Sequence, residues 1–183
     1  MIGQMMEPVQ FRDPPRRPQE PKTWATTGTG GKRKPNVISS LHLEAADLEK
    51  HNIHLQEKYR TMREKEARFE ALHLEDAEIV IVAYGTSSRI ARNAVKELRD
   101  AGVRAGMIRP ITLWPFPDAP FGELPDTVKV VLAVELSCGQ MVDDVRLAVN
   151  GRFPVRFFGR TGGMVFSQRD VAQACTDVLK EVS

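Results

Sequence analysis

Asp76-Ala-Glu-Ile-Val-Ile-Val-Ala-Tyr-Gly-Thr-Ser-Ser-Arg-Ile-Ala-Arg-Asn-Ala-Val-Lys-Glu-Leu-Arg-Asp-Ala-Gly102 decides the fold. Ile79 to Ala83 is a short apolar run rich in β-branched residues, the pattern of a strand buried on both faces. Gly85 breaks it, and Thr86, Ser87 and Ser88 offer hydroxyls suited to capping a helix N-terminus. Ile90, Ala91, Ala94, Val95 and Leu98 then recur at helical spacing, and Gly102 stands where a helix-ending glycine belongs. Val103 to Ile108 resumes as a strand. A strand, a helix and a strand in that order predict a β-α-β unit and a parallel sheet.

Downstream, the same alternation continues. Arg109-Pro-Ile-Thr-Leu-Trp-Pro-Phe-Pro117 is a proline-stiffened connection, with Phe116 and Phe121 flanking a short helix. Lys129–Val134 reads as a second buried strand, and Gly139–Val149 as a helix with Met141, Val142, Val145 and Leu147 inward. Val155–Phe158 reads as a further strand, followed by the glycine-rich turn Gly159–Phe166. Ser167 caps a last helix whose inner face holds Val171, Ala174, Cys175, Val178 and Leu179. The fold class is therefore α/β, a doubly wound and mostly parallel sheet of about five strands over residues 76–183.

Upstream, residues 44–75 contain no Gly or Pro and predict one long amphipathic helix, with Leu48, Leu55, Met62 and Phe69 every seven residues. Residues 12–43 form an extended linker rich in Pro and Gly, and 1–11 read as the apolar tail of an upstream element. Residues 1–40 carry seven Lys/Arg against three Asp/Glu, which leaves the remainder at −2 within a total of +2. Residues 1–38 are expected not to fold alone, and Trp24 is expected to dock on a neighbouring surface.

Several familiar sites do not complete themselves. In Gly28-Thr-Gly-Gly-Lys32 the first glycine of a phosphate loop falls on Thr26, and Arg33 replaces its Ser/Thr. Lys32-Arg-Lys34 is too small a patch to predict nucleic-acid binding. His51 and His54 lack a third ligand and read as surface histidines. Cys138 and Cys175 have no metal-ligand spacing and read as reduced, buried thiols of a cytoplasmic protein. No apolar run is long enough to span a membrane.

Ligands of open parallel sheets meet the carboxyl ends of the strands. Here those ends carry Thr86, Ser87, Arg109, Thr112, Glu135, Gln140 and Arg160. None forms a nucleophile–base pair, so they are expected to make an interface rather than bonds, with no catalytic residue and no metal. Glu135, directly after a buried strand, needs a partner, for which Arg109 and Arg160 are the candidates.

Ala83–Arg89, the Arg109–Pro117 connection with the Ala101–Ile108 stretch before it, Glu135-Leu-Ser-Cys-Gly-Gln-Met-Val-Asp-Asp-Val145 and Gly159-Arg-Thr-Gly-Gly-Met164 together resemble the C-terminal domain of the α chain of 2-oxoacid:ferredoxin oxidoreductases. That domain is similar to the transketolase C-terminal domain. Met1–Pro8 and Trp24–Gly28 are similar to the segment before it in the branched-chain (2-ketoisovalerate) type. The resemblance implies an enzyme that oxidatively decarboxylates a 2-oxoacid to an acyl-coenzyme A and reduces ferredoxin. It implies thiamine diphosphate, Mg, iron–sulfur clusters and coenzyme A in the assembled enzyme, none of them bound by this chain alone. It implies partners in a diphosphate-binding β chain and a cluster-carrying chain. The family's glutamate-bearing pyrimidine domain lies upstream of the region matched, so the chain is expected to be a C-terminal piece or a split subunit, inactive alone. Two other readings are the C-terminal domain of a transketolase-like or 2-oxoacid dehydrogenase β chain, and a free-standing flavodoxin-like anion-binding module.

Overall fold

The computed structural model describes residues 10–13, 18–22, 24–25, 28–37 and 39–182. The chain divides into two units, Pro8–Tyr59 and Arg60 to the C-terminus. The apolar opening read at residues 1–9 lies outside the described residues, as do Thr26 and Thr27. Among the described residues before Ala45 there is no helix or strand. Arg33 organises one turn there, donating to the carbonyls of Ala25 and Gly28 at 3.2 and 3.0 Å.

Helix α1, Ala45–Glu66, buries none of its residues. It ends well before residue 75, where the sequence pattern carried it. Strand β1, Phe69–Leu72, follows and pairs antiparallel with β3, Ala105–Pro110. The difference has a clear cause. Nothing in Glu66-Ala-Arg-Phe-Glu-Ala-Leu72 stops a helix locally, and β1 is held by cross-strand bonds to a segment some forty residues away in sequence.

The other strands are β2, Ile79–Val82, β4, Val130–Glu135, and β5, Val155–Gly159. The sheet order is β1-β3-β2-β4-β5, with every pair parallel except the first. Every residue of β2 and β4 is buried, as their unbroken apolar runs require. The expected five-stranded, doubly wound α/β domain is therefore present, and its sheet begins at Phe69 rather than after residue 76.

Helices α2, Gly85–Asp100, and α5, Gln168–Val182, cover one face of the sheet. Their Ile90, Ala94, Leu98, Val171 and Cys175 pack on Ile79, Ile81, Met107, Leu132 and Val134. The short α3, Ala119–Gly122, and α4, Met141–Val149, cover the other face. There Phe121, Val142 and Val145 meet Val80, Val82, Ile108 and Ala133. Gly102, at φ +86°, closes α2 as the helical pattern predicts. Its N–H donates to Arg99 O at 2.9 Å and Val103 N–H to Leu98 O at 2.9 Å, the paired bonds of a Schellman ending. Ser167 and Asp170 cap α5 reciprocally at 2.8 and 3.2 Å.

Two inward assignments change. Leu147 is 77% exposed, and Val149 occupies the buried position on α4 instead. Cys138 is exposed, while Cys175 is buried in α5 and desolvation pushes its thiol up to about 12. Among the described residues no helix is long and apolar enough to cross a membrane.

Candidate functional site: the carboxyl ends of the strands

Glu135 is the last residue of β4 and is fully buried. Neither Arg109 nor Arg160 neutralises it. Its carboxylate accepts from the backbone N–H groups of Gln140 at 3.2 Å, Met141 at 3.1 Å and Val142 at 3.0 Å, and from Ser137 Oγ at 3.1 Å. These are the donors left over at the start of α4, where the helix dipole also favours a negative charge. The five-residue turn Leu136–Gln140 makes this possible by folding α4 back over the strand that precedes it. The backbone of Gly139 passes close to Val142 and Phe157 in a left-handed conformation, φ +100°, which favours glycine. Gln140 contributes its backbone to this arrangement, and its side chain is exposed.

The acidic first turn of α4 adds to the same field. Asp144 is held above the usual carboxylate range, chiefly by burial and then by Asp143, Asp118 and Glu135. Arg160 joins the group through its backbone, with its N–H donating to Glu135 O at 3.2 Å. Its side chain lines a groove of about 350 Å³ between β5 and α5, beside Phe158, Asp170 and Asp177.

At the end of β3 the chemistry differs. Arg109 faces Glu70 across the antiparallel pair and donates to its Oε2 at 3.1 Å. Arg92 of α2 donates to the same oxygen at 2.9 Å. Among the described residues, the Nε of Arg109 is buried without a hydrogen-bond partner. Thr112 is a brace. Its hydroxyl donates to Pro115 O at 2.9 Å and accepts from Arg68 N–H at 2.9 Å.

At the end of β2, Tyr84 is the N-cap of α2 and no side chain caps it. Gly85, at φ +55°, turns the chain so that Thr86, Ser87 and Ser88 fall inside the first turn. Ser88 Oγ donates back to Gly85 O at 2.7 Å, and Ser87 is buried. Trp24 belongs to the other unit and is 64% exposed.

Of the seven strand-end residues, the structure thus joins Gln140 and Arg160 to Glu135, each through its backbone N–H. It gives Arg109 and Thr112 separate partners and puts Thr86 and Ser87 into a helix. Sequence reasoning missed Glu70, Arg92 and Arg68. All three depend on β1, whose alternation is too short to read. No group of three or more His, Cys, Asp or Glu residues that could hold a metal occurs among the described residues.

Residues 77–171 match the family described as pyruvate:ferredoxin oxidoreductase core domain II. The chain belongs to that family. The ketoisovalerate oxidoreductase subunit VorB of Methanothermobacter thermautotrophicus is 40% identical over 183 residues, covering 100% of this chain and 51% of the relative. The chain thus spans about half the length of that relative. A solved 2-oxoglutarate:ferredoxin oxidoreductase from Magnetococcus marinus, with 2-oxoglutarate, coenzyme A and succinyl-CoA bound, superimposes with a TM-score of 0.70. That match covers 84% of this chain and 28% of that one at 19% identity. A split-gene transketolase, described as an inactive β4 tetramer, matches with a TM-score of 0.53 over 63% of this chain and 42% of that one, at 21% identity. At those identities both structures speak to the fold alone, which is the transketolase C-terminal type. Core domain II begins at Ala77 in the family match, while the sheet here also recruits Phe69–Leu72.

Proposed function

We propose that the chain is the C-terminal docking domain of the α chain of a thiamine diphosphate-dependent 2-oxoacid:ferredoxin oxidoreductase, of the type that converts 3-methyl-2-oxobutanoate to its acyl-coenzyme A. The observation that carries this reading is the end-to-end likeness to a ketoisovalerate oxidoreductase subunit, 40% over the whole 183 residues. The strand-end chemistry supports docking over bond making. Glu135 is spent on the start of α4, Thr112 on a loop, and Arg109 on a carboxylate of its own sheet.

On this reading, thiamine diphosphate with Mg, the iron–sulfur clusters and coenzyme A are held by other parts of a cytoplasmic assembly. The partners are a diphosphate-binding β chain, a cluster-carrying chain and ferredoxin. The residues here do not fit a cluster. A four-thiolate site needs four cysteines, and this sequence has two, one exposed and one buried.

The test is co-expression with the chains encoded beside it. The purified assembly is expected to reduce a viologen dye with 3-methyl-2-oxobutanoate, thiamine diphosphate and coenzyme A, and the chain alone to reduce none. Activity of the chain alone would overturn the reading. Equal turnover of 2-oxoglutarate by the assembly would overturn its substrate class.

A further inference from the structure

The connection after β3 is an apolar prong on a rigid mount. Ile111 and Thr112 donate their N–H groups to Arg68 O at 2.9 and 3.3 Å, and Arg68 N–H returns a bond to Thr112 Oγ1. Phe116 anchors the far side, stacked on Phe121 with ring centres 5.8 Å apart. Between these fixings the loop turns Ile111, Leu113 and Trp114 outward, at 49%, 44% and 53% exposure. A pinned loop loses little conformational freedom on binding, and tryptophan beside a rim of arginine is the usual make-up of an interface anchor.

The charge beside this prong is unbalanced. Arg92 and Arg109 share one oxygen of Glu70, while Arg68 pairs with Glu66 at 3.0 Å. One carboxylate between two guanidiniums leaves a positive charge, and both arginine side chains are part-exposed. A planar guanidinium satisfied at one corner is suited to a second carboxylate.

We propose that this end of β3 docks another polypeptide of the oxidoreductase, one that offers an apolar cleft to Trp114 and Leu113 and a rim carboxylate to Arg92 and Arg109. The inference rests on the subunit reading above. A second copy of this chain is disfavoured, because a two-fold contact sets the same residual positive charge against itself. An anionic bilayer is disfavoured too, because Glu66 and Glu70 already pair with the three arginines and the single positive charge left over falls well short of the cluster of about 4–8 Lys/Arg that such a surface recognises.

The test measures affinity of the full chain for its co-encoded partner chains, in wild type and in Trp114→Ala, Leu113→Glu and Arg92→Glu forms, with thermal unfolding of each chain alone as the control. Trp114→Ala and Leu113→Glu are expected to weaken binding about thirty-fold, the size of an interface hot spot. Arg92→Glu is expected to weaken it about ten-fold and to reduce its dependence on salt, with Arg92→Lys restoring part of both. Unfolding temperatures are expected to stay at the wild-type value. Wild-type affinity in Leu113→Glu and Arg92→Glu would overturn this proposal and leave the subunit reading standing. Failure of the wild-type chain to bind any of those chains would overturn both. Self-association abolished by Trp114→Ala would assign the surface to a second copy. Co-sedimentation with phosphatidylserine vesicles, lost in the same variant, would assign it to a membrane. Either result would overturn the proposal.

Discussion

The ends of β4 and β3 look alike in sequence, each a buried apolar run that stops at a charged residue. In the fold they are opposites. Glu135 is fully buried with four donors around it, whereas the Arg109 side chain is 38% exposed and shares an acceptor. The sign of the charge and the connection that follows decide this together, since the N–H groups of a helix start can hold only an acceptor. After Glu135, five residues bring the start of α4 back over the strand. After Pro110 the chain leaves through Ile111-Thr-Leu-Trp-Pro115, and no helix begins until Ala119. A short turn into a helix converts a strand-end carboxylate into an internal fastening. A longer one leaves it at the surface.

The strongest way to break that comparison is to remove the fastening. Glu135→Leu leaves three backbone N–H groups at the α4 start without their acceptor. It is expected to cost about 3–5 kcal/mol, as when one side of a buried charged contact is lost. Glu135→Gln keeps one acceptor oxygen and is expected to lose about half as much, since charge-assisted bonds are roughly twice as strong as neutral ones. Urea unfolding of the three chains measures both, and a Glu135→Leu chain within about 1 kcal/mol of wild type would erase the distinction between the two ends.

A second substitution asks whether β3 is tight at the end opposite Arg109. A Cβ on Gly106 would stand 2.6 Å from the carbonyl oxygen of His73, a backbone atom, and 3.1 Å from Ala77 Cβ. Gly106→Ala is expected to destabilise by about 1–3 kcal/mol, the cost of overpacking. A neutral result in the same unfolding assay would mean that β1 and its turn give way freely, and that the whole of β3 is open rather than one end.

The third prediction concerns an ion pair closer to the solvent. The hydrogen bond from Arg99 holds the Asp76 carboxyl below its ordinary value of 3.8. A depressed carboxyl favours the folded state above the unfolded value, and that contribution fades as pH falls through the folded one. Wild type and Asp76→Asn are therefore expected to differ in urea midpoint at about pH 7 and to converge as pH falls below the ordinary value of 3.8. A gap that stays constant with pH would remove the charge of Asp76 as the cause.

The smallest effect is expected at Arg109 itself. Arg109→Ala leaves Glu70 paired with Arg92, so stability of the isolated chain should change by only about 0–1 kcal/mol. A loss as large as that of Glu135→Leu would show that the two ends are equally internal.

The central sheet was legible because its strands are buried on both faces. Ile79–Val82 and Val130–Val134 carry their burial in their composition, and α2 and α5 carry theirs in helical spacing. The edge was not. Phe69, Glu70 and Ala71 are all exposed and follow a helix without a break in local preference. Their strand state comes from pairing with Met107–Pro110, which no local window contains. Missing β1 meant missing Glu70, and without Glu70 the partner of Arg109 was sought in Glu135. The need of Glu135 for a partner was readable from its position. That the partner is backbone could not be read, because N–H groups have no letter in a sequence.

The embrace of Glu135 by α4 has a further consequence. Open parallel sheets commonly present a helix start at this place to a diffusing anion. Here the anion is built into the polymer at residue 135, so its occupancy does not depend on the concentration of anything in solution. The α4 start is permanently saturated. It lends the domain a constant stability and gives nucleotides and phosphates no means of changing it there. A helix start in that state is a fixed part of the fold rather than a sensor of anions.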